Sequence, residues 1–446
     1  MKKSYLKKAG SMALCGVMGA ALLAGCGSSA GSSDTGSASA SSAAATENTK
    51  TTEGQTQNFK GVSLVYWSSW EATEPQGIVI ADMVKEFEKE TGCTVDLQFK
   101  GRSGIREGLI PALDAGQQVD LFESNSNKAN YGDRIMCLED LVSEHDYEKD
   151  TNPVLMKLCR GYASDGKLYE IPYQMRANLW LYNKDLFDKA GVTEVPQTWD
   201  EFLNVCQKLK DAGITPITTD DAYSMQPFGI HLARLMGGDN SQAVAQNGNW
   251  DDPKVLETAQ AYEDLASKGY ISSKVSANTW PTGQNTEFAA GQAAMYFGGT
   301  YIVNETKTIT GDNFRWGMFN YPTLEDGVNG EEAMVIGCQS YAIPANCVNP
   351  EAAFALIEKI TRGEWDAKLA KESLALPADI NNSSWPEQFA DVKPYMDNCT
   401  TIFKVSGGLE TNSDITPALK ENLLKLYSGS ITAEEFTANM KAAAAQ

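Results

Sequence analysis

Trp67-Ser68-Ser69-Trp70-Glu71 sets two indole rings and a carboxylate side by side in a short stretch of chain. Indoles pack on the apolar C–H faces of a pyranose, and vicinal hydroxyls match the two oxygens of a carboxylate or the fork of a guanidinium. The stretch follows an apolar, β-like run from Val62 to Trp67, and ligands of open parallel sheets sit outside the carboxyl ends of strands. Trp67 reads equally as a core residue. Phe122-Glu123-Ser124-Asn125 follows the next strand end and would put Glu123 and Asn125 at the same rim, with ordinary loop solvation as the alternative.

Other chemistry fails on spacing. Gly161 to Lys167 spells G-x-x-x-x-G-K, but Leu168 stands where a P-loop needs Ser or Thr for magnesium. Gly27 to Gly31 matches G-x-S-x-G, with no strand before it and no helix after it. His145 and His231 are the only histidines; neither belongs to an H-E-x-x-H motif, and both read as solvated surface residues. No metal loop is patterned, so neither metal nor cofactor is expected. Among 58 acidic residues a pair at glycosidase separation stays open. Cys93, Cys137, Cys159, Cys206, Cys338, Cys347 and Cys399 show no C-x-x-C spacing and read as small apolar core residues.

The elements that must position these residues alternate. Ile78 to Glu90 repeats Val79, Met83 and Phe87 at helical spacing and stops at Thr91-Gly92, while Cys93 to Phe99 puts Val95, Leu97 and Phe99 on one strand face. Strand, helix, strand is the βαβ unit of a parallel sheet. Val119 to Phe122 adds another strand. Thr198 reads as an N-cap with Glu201 closing a capping box, ahead of a helix from Trp199 to Lys210 that carries Phe202, Cys206 and Leu209 on one face. Such alternation is α/β architecture, and 446 residues exceed one usual core, so two lobes are expected.

The N-terminal segment has its own chemistry. Lys2, Lys3, Lys7 and Lys8 precede an apolar run, Ala9 to Leu23, too short to span a bilayer, which is the pattern of an export signal. Leu23-Ala24-Gly25-Cys26 resembles the bacterial lipoprotein box, in which the cysteine thiol is acylated and becomes the first residue. Residues 1–25 read as signal peptide and 26–58 as a lipid-anchored Ser/Gly/Ala/Thr leash with a span of roughly 30 Å. Loss of the four signal lysines moves the formal charge from -21 to -25. So acidic a chain, without a Lys/Arg cluster beyond the signal, does not bind nucleic acid.

Three segments in order carry a wider resemblance: Gly166-Lys167-Leu168-Tyr169-Glu170-Ile171-Pro172-Tyr173, then Leu181 to Phe187, then Pro196 to Phe202. With Phe288 to Met295 and Asn349 to Ala353 they resemble the bacterial extracellular solute-binding proteins of family 1, which deliver sugars to ABC importers and include maltose-binding protein. The resemblance runs approximately from Val62 to the C-terminal end, nearly all of the folded chain. It implies a periplasmic-binding-protein-like α/β fold: lobe 1 from 59–172 plus about 338–375, lobe 2 from 173–337 plus about 376–446, and a hinged ligand cleft between them. It sets Tyr173 and Arg176 where the chain first crosses between lobes, with Arg176 readable as a hinge ion pair. After the Met295 segment the family often has a cleft tryptophan; Gly298-Gly299-Thr300-Tyr301 offers Tyr301 instead. Trp280, and Trp385 in a late polar loop, are further stacking candidates or structural residues. The implied protein is a monomeric, non-enzymatic receptor anchored through Cys26 on the outer face of a cell membrane of Gram-positive type. It would carry a carbohydrate, with oligosaccharide as the first expectation, to ABC permease subunits. The alternatives are a polyol, glycerol phosphoester, peptide or polyamine ligand on the same fold, or an anchored glycosidase.

Overall fold

A computed structural model describes residues 58–124, 127–383 and 385–445; Cys26 and Asn125 lie outside them. The chain opens with β1 (Ser63–Ser68), α1 (Pro75–Thr91), β2 (Thr94–Phe99), α2 (Gly101–Asp114) and β3 (Leu121–Ser124). Pro75 at the first helical position starts α1, because its missing N–H would find no partner there, and Gly92 ends it at φ 73°. Val79, Met83 and Phe87 are buried on one face of α1, as their spacing required. β1 pairs in parallel with both β2 and β3.

The sheet continues through β4 (Ile171–Asn183), β5 (Thr215–Thr218), β6 (Ala293–Gly299), β7 (Trp316–Phe319), β8 (Ala333–Ala342) and β9 (Thr401–Phe403). Strand order is β2-β1-β3-β8-β4-β6-β5, with β7 on β4 and β9 on β8. The sheet is mixed where a parallel one was expected, because β8 runs antiparallel to β3 and to β4.

β4 and β8 are buried along almost their whole length, and period-two alternation lets each serve two cores. In β4, Tyr173, Met175, Ala177, Leu179 and Leu181 join a core with Leu64, Phe87 and Phe354. Trp180 and Tyr182 point into a second core with Phe202, Phe228, Trp250 and Phe436. β8 divides likewise, Met334, Ile336 and Cys338 from Ala333 and Val335. A smaller cluster of Trp67, Ile105, Leu109 and Phe122 lies beneath α2. The helix Trp199–Asp211 begins with the capping box of Thr198 and Glu201, both reciprocal hydrogen bonds being present.

Candidate functional site

The floor of the site is a break in the β4–β8 ladder. Tyr173 opposes Gln339 and Arg176 opposes Gly337, so Gln174 and Met175 together face one residue of β8. Gln174 takes φ 46°, a left-handed conformation that costs a non-glycine residue of order 1 kcal/mol or more. Met175 leaves β8 and exchanges backbone hydrogen bonds with Leu376, at 3.0 and 3.2 Å. Past the bulge Arg176, half-buried, lays its guanidinium over Gly337; a Cβ there would lie 2.8 Å from Arg176 Nε.

Over this floor opens a groove of about 1020 Å³, walled by Lys157, Tyr162, Asp239, Lys404 and Glu410, with Val328, Ile336, Ile402 and Val405 as its apolar part. Lys157 and Lys404 are held at its edge by the Thr400 carbonyl (2.8 Å) and Gln242 Oε1 (2.5 Å).

Next to Arg176 stands Tyr301, half-buried. Burial pushes its phenol pKa up, while hydrogen bonds to Tyr223 and Gln226 and the Arg176 charge oppose the shift. Gln226 Oε1 in turn accepts from Asn178 Nδ2 at 2.9 Å. Beyond Tyr301, the Glu305 carboxyl is raised by burial and hydrogen-bonded by Asn285 and by the Trp280 indole. Trp280 is 49% exposed. Its backbone N–H donates to Asp221 Oδ1 at 2.9 Å, so the ring is tied at both ends with a face open to solvent. Arg176, Tyr301, Glu305 and Trp280 thus form one continuous polar and aromatic series.

The residues after β1 and β3 sit elsewhere. Glu123 was expected at a rim and is fully buried, because strand parity turns it inward. It accepts from Tyr66 Oη (3.0 Å), the Ser69 N–H (3.2 Å) and the hydroxyls of Ser68 and Tyr173. Burial is the largest influence on its carboxyl pKa and raises it, against those four donors. Tyr173, expected at a cleft floor, is also fully buried, stacked on Tyr341 with centroids 4.4 Å apart.

Trp70 is 6% exposed. Its indole N–H donates to Tyr173 Oη at 2.8 Å, and Arg102, gripped by Glu74 at 2.8 and 3.0 Å, covers its face. Trp67 takes the core alternative, buried with Lys100 Nζ 4.2 Å above its ring. Glu71 is exposed and packs its carboxylate against Gly101 at the start of α2. Trp385 is half-buried against the first core, with Lys393 Nζ 5.9 Å over its ring.

The histidines depart from the solvated reading. His231 is buried beside Tyr321 Oη (3.0 Å), and desolvation lowers its pKa to about 3. His145 bridges Glu358 and Glu351 at 2.7 and 3.1 Å, which raises it to about 9. Cys137 is exposed and Cys347 half-buried, and the other five described cysteines are core residues.

Sequence reading passed over Asp221, Tyr223, Gln226 and Glu305. A signal for the first two existed: Thr219 to Tyr223 follows the carboxyl end of β5, and the strand-end rule applied at β1 holds there too.

A sequence model described as "Bacterial extracellular solute-binding protein" matches residues 71–365. The diacetylchitobiose binding protein DasA of Streptomyces coelicolor is 25% identical over 312 residues, 67% of this chain and 69% of that protein. The sn-glycerol-3-phosphate-binding periplasmic protein UgpB of Brucella abortus is 24% identical over 243 residues, 48% of this chain and 52%, about half, of the relative. Among solved structures, a chitin oligosaccharide binding protein superposes with TM-score 0.65 at 22% identity, over 86% of this chain and 98% of the other.

Proposed function

Because the chain belongs to the bacterial extracellular solute-binding protein family, we propose that it captures a carbohydrate, an oligosaccharide first of all, and delivers it to the permease of an ABC importer. Trp280 carries this reading: it is 49% exposed yet fixed at ring and backbone, so it offers a rigid aromatic face on which the apolar side of a pyranose can stack. Tyr301 and Arg176 continue the surface with a hydroxyl and a guanidinium suited to sugar hydroxyls. The relatives named for diacetylchitobiose and chitin oligosaccharide support the same ligand class.

Binding involves no covalent chemistry. Lobe 1 comprises 59–172 and about 338–375, lobe 2 comprises 173–337 and about 376–446, and β4 and β8 connect them. A ligand touching both lobes stabilises the closed arrangement by its differential affinity, and the permease recognises that arrangement. The protein acts as a monomer, held to the outer face of the membrane by acylated Cys26.

A glycerol phosphoester is the second reading, favoured by Lys157, Arg176 and Lys404 around one groove and by the likeness to UgpB. Calorimetry against chito-, xylo- and malto-oligosaccharides and glycerol 3-phosphate separates the two, with small-angle scattering before and after saturation. Heat from a glycan and a smaller radius of gyration are expected. Response to the phosphoester alone would overturn the carbohydrate reading, and binding without compaction would overturn closure.

A further inference from the structure

Directly behind the groove, two thiols face each other. Cys159, in the helix Pro153–Gly161, and Cys338, in β8, lie 179 positions apart in the chain, yet their Sγ atoms approach to 3.9 Å. Both residues are 1% exposed. Hydrogen-bonding geometry between the sulfurs shows that they point at one another. A disulfide needs about 2.05 Å, so each sulfur has about 1 Å to travel, a distance that modest side-chain rotation covers. Other core thiols point elsewhere: Cys93 and Cys399 donate to the carbonyls of Thr94 and Thr401.

The family works outside the cytoplasm, where disulfides form and persist. The geometry points to a Cys159–Cys338 disulfide in the exported protein, formed by exchange with the disulfide of an extracytoplasmic thiol oxidoreductase or of a small-molecule thiol. The two thiols lose two protons and two electrons and one S–S bond forms. The electron pair breaks the donor disulfide, which leaves as two thiols carrying those protons. Because burial closes both sulfurs to an oxidant, and raises the Cys159 pKa so that little thiolate is present, exchange takes place before the helix docks on β8.

The bond would tie together the two elements that wall the groove. The helix supplies Lys157, Leu158 and Gly161, with Tyr162 just after it, and β8 supplies Ile336 and Gly337, the latter adjacent to Cys338 and beneath Arg176. A cross-link closing so long a loop restricts the unfolded chain strongly. None of this depends on the ligand, so the inference stands or falls apart from the carbohydrate reading.

The full chain is exported from a host with an oxidising secretory route, or refolded from denaturant in oxidised and reduced glutathione. It is then denatured, alkylated without reductant and mapped by mass spectrometry. The expected result is one linked peptide pair carrying Cys159 and Cys338, with the remaining described cysteines alkylated. Reductant should make both alkylatable and lower the melting temperature by about 5 °C. The Cys159→Ala/Cys338→Ala protein should lose the linked pair and melt at the same temperature with or without reductant. Complete alkylation of both residues in unreduced protein from both preparations, or linkage of either to another cysteine, would overturn the assignment.

Discussion

Trp280 and His145 show how differently two polar-tipped rings can be employed, one open to solvent and the other largely covered. The Trp280 face packs on little of the protein, so Trp280→Ala should leave the melting temperature within a degree or two while weakening ligand binding tenfold or more, about 1.4 kcal/mol or above. Calorimetry on the ligand identified by screening, beside a thermal melt, reads both; unchanged affinity would remove Trp280 from the site. His145, by contrast, works for the fold. It lies just past the helix Glu139–Glu144 and pairs with Glu358 and Glu351 on the helix Pro350–Thr361. Its folded pKa of about 9 lies above the ordinary 6.5, so the imidazolium's stabilisation is complete below pH 6.5 and disappears as pH rises through 9. His145→Gln should therefore cost about 2 kcal/mol at pH 6 and almost nothing at pH 10, measured by urea unfolding at each pH. An equal loss at both pH values would mean that packing on Phe354, 4.9 Å away, is what matters.

At the scale of elements, what lay within a few residues of itself was legible and what depended on a distant partner was not. The Thr198–Glu201 box, the α1 repeat ending at Gly92 and the β1-α1-β2 unit are all local, and each stands where its residues placed it. β8 had no such signal, because its neighbours β3 and β4 come from far earlier in the chain. Glu123 shows the same limit on a finer scale. The end of β3 was readable, but which side of the strand holds the tyrosines depends on the β3–β8 register. Gly337 likewise carried no signal, since its purpose appears only when β8 meets the bulge at Gln174. The atoms a Gly337 Cβ would strike belong to the mobile end of Arg176. Gly337→Ala should therefore push the guanidinium aside without unfolding the ladder, lowering affinity about tenfold while the melting temperature moves by less than about 2 °C. A large loss of stability would show instead that the backbone itself requires glycine there.

For the whole molecule, the tether and the fold make separable claims. The proposed capture rests on the fold: two cores share β4 and β8, and Arg176 stands at the bulge between those strands. The proposed tether answers a separate need, because across a single membrane an unanchored receptor would diffuse away from the permease proposed for it. A single acyl chain holds a protein only marginally, so stable retention requires at least two, which is what a lipoprotein cysteine carries. With a net charge of -21 over the whole sequence, attraction to anionic headgroups offers no substitute anchor. Cys26→Ser should then move the protein from the membrane fraction to the medium while ligand affinity stays within about twofold, because the substitution precedes every residue that shapes the groove. Fractionation after a high-salt wash, with calorimetry on the released protein, decides it. Retention of the Cys26→Ser protein on washed membranes would mean that something other than the acylated thiol holds the receptor in place.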